Sequence, residues 1–165
     1  KVWIESPAAE RYPFSPNANS SVRIRPATVT DADAIARLAT ELGYPASGAE
    51  IRTRLTTLLG SRAHFIAVAE REGEVIGWVG AEHRTLLESG ERAELVGLVV
   101  SVGARRSGIG SALVGSAEAW AQGRGLTKMG VRSNIGRAEA HPFYEHLGYA
   151  RTKTQHAYAK ALASV

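Results

Sequence analysis

Leu98-Val99-Val100-Ser101-Val102-Gly103-Ala104-Arg105-Arg106-Ser107-Gly108-Ile109-Gly110-Ser111-Ala112-Leu113 decides the reading of this chain. It runs from the end of an apolar strand, through a short connection, into glycines that open a helix. Glycine lets backbone N–H groups close on an anion, and a helix N-terminus adds partial positive charge. Arg105 and Arg106 contribute full charges and several donors each. The segment is a phosphate-binding turn in physical terms, yet two nucleotide templates fail on it. Gly103 and Gly108 have the Walker spacing, but Ile109-Gly110 stands where Lys followed by Ser or Thr is needed. Gly108-Ile109-Gly110 begins a dinucleotide fingerprint, but Leu113 occupies the third glycine position.

Toward the N-terminus, Ala93 to Val100 is the most apolar stretch and reads as a central strand. His64 to Ala69 and Val75 to Ala81, separated by Arg71-Glu72-Gly73-Glu74, read as an antiparallel hairpin. Ser47-Gly48-Ala49-Glu50 is a helix start ahead of Ile51, Leu55, Leu58 and Leu59, and Gly60 is its stop. Thr30-Asp31-Ala32-Asp33 has the same spacing before Ile35, Leu38 and Leu42, with Gly43 as the stop. Val22 to Arg25 alternates like a short strand before Pro26. Residues 1–20, with Pro7, Pro13 and Pro16, form an extension, and 21–165 form one domain. Toward the C-terminus, Ile109, Leu113, Ala117 and Trp120 mark one face of a long helix ending near Gly123-Arg124-Gly125. Met129 to Ser133 is a short strand, Arg137 to Leu147 a short helix closed by Gly148, and Tyr149 to Lys160 a last strand. The order is strand, two helices, three strands, helix, strand, helix, strand.

At 165 residues the chain has room for one core and no second domain. Cysteine is absent, which excludes a disulfide scaffold, a thiolate metal site and a cysteine nucleophile, and suits a reducing cytosol. No apolar run approaches the roughly 18 residues of a membrane span, and the first residues lack a signal-peptide core. The expectation is a cytoplasmic protein without a membrane partner. A net charge of +4 and a pI near 9.7 favour an anionic ligand. The arginines form no block with interleaved aromatics, so nucleic acid is not expected. His141 and His146 lie five apart, off a common helix face, and His64, His83 and His156 have no ligand spacing, so no metal is expected.

A second motif, Asn134-Ile135-Gly136-Arg137-Ala138-Glu139-Ala140-His141-Pro142-Phe143-Tyr144-Glu145-His146-Leu147-Gly148-Tyr149, completes the pattern. Together with Arg105-x-x-Gly108-x-Gly110 it resembles the GNAT superfamily of N-acetyltransferases, whose strand and helix order matches nearly all of residues 22–160. The resemblance implies an α/β (α+β) fold with a mixed, mostly antiparallel central sheet flanked by helices. It implies acetyl-coenzyme A as co-substrate, with its pyrophosphate on the amides of Arg106, Ser107, Gly108, Ile109, Gly110 and Ser111 and the guanidinium groups of Arg105 and Arg106. Pantetheine would lie along the edge of Leu98, Val99 and Val100 and bond to Asn134, with Arg137 adding charge near the phosphates.

The same resemblance makes Tyr144 the candidate general acid and a cofactor contact. Acyl transfer expels a thiolate whose conjugate acid has a pKa of roughly 8.5, and a phenol at about 10 can protonate it. The acceptor must be a neutral amine, so a group or a water takes its proton. Glu94 is the first candidate for that base, with Glu82 and His83 next. Strand alternation sets Glu94 with Val96, Leu98 and Val100 on one face and Leu95, Gly97 and Val99 on the other. An oxyanion donor is expected at the N–H of Val99 or a neighbour, freed by a bulge that Gly97 would ease or by strands splaying apart. Direct transfer in a ternary complex needs no covalent enzyme intermediate. The reading is acetyl transfer to a primary amine of a small molecule. A non-catalytic acyl-coenzyme A module and a peptide acetyltransferase are its alternatives. Glu41, Tyr44, Glu82 and Glu88 are candidates to meet a cationic acceptor, and His141 to line a pocket, whereas Phe143 reads as core. A homodimer is common among members of the superfamily, and the N-terminal extension is a candidate to join one.

Overall fold

The computed structural model describes residues 22–163, which fall into two compact units divided between Arg132 and Ser133. The first unit holds β1 (Val22–Pro26), α1 (Ala32–Glu41), α2 (Gly48–Leu59), β2 (His64–Arg71), β3 (Glu74–Leu86), β4 (Gly90–Val100), α3 (Ile109–Gly123) and β5 (Met129–Val131). The strands form one sheet in the order β1-β2-β3-β4-β5, antiparallel throughout except for the parallel β4–β5 pair. Glu72 and Gly73, both at positive φ, make the two-residue β2–β3 turn in the geometry that matches strand twist.

The pleat separates two buried layers. Trp78 packs with the cluster of Ile35, Leu38, Ile51, Leu55, Val68 and Val99 under α1 and α2. Its neighbour Gly77 points the other way, where a Cβ would lie 3.2 Å from Leu113 of α3. Phe65 stacks on Trp120 of α3 at 5.5 Å, while Ile66 joins the α1/α2 layer. The sheet is thus sandwiched, with its middle strands buried on both faces.

The helix starts follow local chemistry. Ser47 and Glu50 form the expected capping box on α2. Ahead of α1 the box lies two residues earlier than Thr30-Asp33: Thr28 and Asp31 close a 3-10 turn, and Asp31 is buried against Arg25 with N–O distances of 2.8 and 2.9 Å. Arg25 also donates to Glu70 at 2.7 Å, so one guanidinium ties the start of the helix to β2. The central hairpin outruns its apolar cores, with β3 and β4 pairing out to Leu86 and Gly90 through charged residues.

In the second unit, α4 (Ala140–His146) is shorter than the predicted Arg137–Leu147 helix, because Asn134 to Glu139 form turns. Gly148 at φ +90° ends it. The last strand expected over Tyr149–Lys160 is not formed: residues 150–163 carry no ladder and are exposed. That stretch alternates charged and polar residues with alanine and offers a partner strand little apolar area. The extension at 1–20 lies outside the described residues. No helix among the described residues is long and apolar enough to cross a membrane.

Candidate active site

Two irregularities of β4 create the site in the first unit. Gly80 pairs with Gly97 but Ala81 pairs with Leu95, so Val96 is an extra residue, 57% exposed. This bulge corrects the expected alternation: Glu94 shares the α1/α2 face with Gly97 and Val99, and Leu98 and Val100 point to the α3 side. Beside the bulge, Trp78 ring atoms lie 2.5 Å from where a Gly97 Cβ would sit. Only glycine admits the indole there. The second irregularity is the fork with β5, which pairs Ala93, Glu94 and Leu95 with Met129, Gly130 and Val131 and then departs. From Val96 to Val100, β4 keeps a ladder with β3 alone. The irregular backbone expected near Val99 therefore begins at Val96, and the edge of Leu98, Val99 and Val100 lies beyond the last β5 rung.

That edge leads into the glycine turn. A single 3-10 turn over Val102–Ala104 connects β4 to an exposed Arg105-Arg106-Ser107-Gly108 segment. Arg105 Nε donates to the Val100 carbonyl at 3.1 Å, and Ser107 Oγ to the Ala104 carbonyl at 2.6 Å, so both side chains brace the loop. Gly108, the N-cap of α3, has φ +81°, and Arg106 has φ +61°, a conformation a non-glycine residue adopts only under constraint. The first-turn amides of α3, from Ile109 to Ser111, have no partner within the helix. A glycine turn at the positive end of a helix dipole, with an exposed arginine, fits a diphosphate chemically. Val102 N donates to Glu41 Oε2 at 3.3 Å, so Glu41, a candidate to meet a cationic acceptor, also ties the end of α1 to this loop.

Glu94 is 5% exposed and surrounded by guanidinium groups. Its Oε2 accepts from Arg84 Nη1 at 3.0 Å and Arg92 Nη2 at 3.1 Å, and its Oε1 lies 2.9 Å from Arg132 Nε. Burial works against the ionised form, but the Arg84 hydrogen bond and the charges of Arg132 and Arg84 outweigh it and hold the carboxyl below its usual range. A carboxylate so engaged is a weak base. Glu82 stands opposite Glu94 on the same face, half-buried, with Arg84 Nε at 3.2 Å and His64 Nε2 at 3.9 Å. His83 points to the other face, 3.3 Å from Glu91 and 3.4 Å from Arg124. Of the three candidate bases, Glu82 is the most open on the face that carries the bulge. Glu88 and Tyr44 are exposed. Among the described residues no group of three His, Asp or Glu side chains has metal-ligating geometry.

The second unit is built on Asn134. Its Oδ1 accepts from Gly136 N at 2.8 Å, its carbonyl accepts from Arg137 N at 2.9 Å, and His141 Nε2 lies 3.3 Å from that carbonyl. Asn134 thereby fixes the turn into α4. Tyr144 on α4 meets Phe143 at 5.1 Å and Tyr149 at 5.8 Å, both edge to face. Burial raises its pKa against the opposing charge of Arg137, so the phenol keeps its proton at neutral pH. Sequence reasoning missed Trp78, Arg84, Arg92 and Arg132. The i, i+2 spacing of Arg92 and Glu94 marks a shared strand face, whereas Arg84 and Arg132 reach Glu94 only through the sheet pairing.

Comparison with known proteins adds three findings. Residues 32–149 match the family model described as acetyltransferase (GNAT) family. Aminoglycoside N(6')-acetyltransferase type 1 of Klebsiella aerogenes is 36% identical over 118 residues, 67% of this chain and 77% of that protein. Among solved structures, an apo aminoglycoside antibiotic 6'-N-acetyltransferase from Acinetobacter haemolyticus matches with a TM-score of 0.75 at 22% identity, over 86% of this chain and 99% of that one. A transcriptional regulator from Bacillus halodurans C-125 matches with a TM-score of 0.74 at 24% identity, over 86% of this chain and 99% of that one. Likeness at such identities is likeness of fold, and the fold by itself does not choose among activities.

Proposed function

The chain belongs to the acetyltransferase (GNAT) family, and from that premise we propose that it moves the acetyl group of acetyl-coenzyme A onto a primary amine of a small molecule, an amino sugar of the aminoglycoside type. The observation that carries the reading is the β4 edge freed at Val96 and running into the arginine-flanked N-terminus of α3. The acceptor class rests on what the Klebsiella aerogenes relative is named for.

Acetyl-coenzyme A supplies an activated thioester carbon. The amides of Arg106 to Ser111 and the Arg106 guanidinium hold its diphosphate, and the freed edge of Leu98, Val99 and Val100 offers backbone partners to its pantetheine amides. Asn134 and Arg137 add contacts. A backbone N–H in the Val96–Val99 irregularity donates to the reacting carbonyl oxygen, where charge develops. As the amine nitrogen bonds to the acetyl carbon, the carbon–sulfur bond breaks. Tyr144 gives its proton to the departing sulfur. Glu82, directly or through water, takes the proton the amine sheds, since Glu94 is already committed to three arginines.

Thiol release from acetyl-coenzyme A across a panel of amines tests the reading, with turnover expected on cationic amino sugars. A second reading has one observation in its favour: the bulge residue is Val96, so no carboxylate stands at the irregularity. It describes an acyl-coenzyme A module without transfer. Heat of binding with coenzyme A but no thiol release with any amine would establish that module, and no heat would sink both readings.

A further inference from the structure

We propose that Glu94 is a positioning residue whose carboxylate, by holding Arg132, fixes the rung at which β5 leaves β4 and so sets the opening that receives the acyl-coenzyme A arm. This rests on the acyl-coenzyme A reading of the β4 edge. Glu94 pairs with Gly130, and the next rung, Leu95 with Val131, is the last. Arg132 is the first residue of the chain beyond that rung, and its Nε lies 2.9 Å from Glu94 Oε1. The ion pair therefore runs diagonally across the fork, from the last-but-one rung to the first unpaired residue.

The other oxygen of Glu94 is bound to the β3–β4 arm by Arg84 and Arg92. One buried carboxylate thus joins the departing strand to the stationary hairpin, and both its oxygens are used. Removing either partner leaves β5 with three backbone rungs and without this tie at the point of divergence. Zipping the strands further is opposed from the other side, where the extra residue Val96 shifts the β4 register. Bulge and clasp act two residues apart on β4, at Val96 and Glu94, and together they confine the fork to one position. A group closed in this way cannot shuttle the amine's proton, which separates the proposal from a general-base role.

The test compares the full chain with Glu94→Gln, Arg132→Gln, Arg132→Lys and the double Gln variant. Amide hydrogen exchange at Val131 reads the fork, and calorimetry with coenzyme A and steady-state kinetics with acetyl-coenzyme A read the site. The expected result is exchange at Val131 and KM for acetyl-coenzyme A each raised about tenfold in both single Gln variants, with kcat within about threefold and the pH profile unmoved. The double variant should be no worse than either single one, and Arg132→Lys should restore most of the loss. Because Arg132 is 66% exposed on its side chain, its variants report on the clasp even if Glu94→Gln does not fold. A large kcat loss with an altered pH profile and unchanged coenzyme A affinity would make Glu94 a base and overturn the proposal. Faster exchange with unchanged affinity would confine Glu94 to holding the sheet, which also overturns it, as would no change in either. If the unaltered chain shows no heat with coenzyme A, the acyl-coenzyme A reading fails and takes the site role with it. Exchange at Val131 then reports the clasp alone.

Discussion

Tyr144 and Gly97 carry sharply different residue-scale predictions. Tyr144→Phe removes a proton donor and keeps the ring that meets Phe143 and Tyr149, so kcat should fall about 10²- to 10³-fold with little change in stability. Its phenol must be protonated to act, and burial has raised its pKa. The alkaline fall in kcat of the unaltered chain should therefore lie above the pKa of about 10 of a free phenol, and the Phe variant should lack that limb. A pH–rate profile checks both points. At Gly97 even one methyl group meets Trp78, so Gly97→Ala should cost about 1–3 kcal/mol in urea unfolding and blunt acetyl-coenzyme A binding by shifting the bulge. The tyrosine was visible in the sequence as part of a motif. Tryptophan 78 was not, because its importance comes from the strand that lies against it.

At the scale of elements, the loop between β4 and α3 holds left-handed backbone at Arg106 and Gly108. Arg106 holds a left-handed backbone that glycine adopts freely, so Arg106→Gly should leave the chain as stable or more so, by up to about 1 kcal/mol. The same change removes a cation from the turn proposed to hold the diphosphate, and coenzyme A affinity should drop and become less sensitive to salt. Thermal unfolding and calorimetry at two salt concentrations decide it. Gly108→Ala sits at φ +81° with open space around its missing side chain, so its predicted loss of about 1–2 kcal/mol is conformational and involves no clash. Both positions were legible in the sequence, since glycines at a strand-to-helix turn have a local reason to exist. The fork between β4 and β5 was anticipated only as one way to free an N–H, because β5 is three residues long and nothing local states where its pairing stops.

For the molecule as a whole, two buried carboxylates couple the fold to pH. Asp31 is held below its usual range chiefly by its Arg25 hydrogen bond, and Glu94 by its arginines against burial. Groups whose folded pKa is depressed stabilise the fold above their unfolded values and lose that contribution as pH falls through the folded ones. Stability should thus be flat near neutrality and decline below pH of about 4, and Glu94→Gln should flatten the decline, as urea melts across that range would show. Glu94→Ala should also cost about 3 kcal/mol at neutral pH, at the low end for a buried pair because the arginines keep contact with water. The element order through α4 and the glycine turn into α3 followed from sequence alone, because periodicity, capping and glycine spacing act over a few neighbouring residues, and the family followed from the resemblance of two motifs. The face of Glu94, its enclosure by arginines from β3, β4 and the residue after β5, and the single extra residue at Val96 were decided only in three dimensions. Pairing register is a property of two strands at once: β3 passes from Gly97 to Leu95 across one extra residue, and that one-residue slip moves a carboxylate from one side of the sheet to the other.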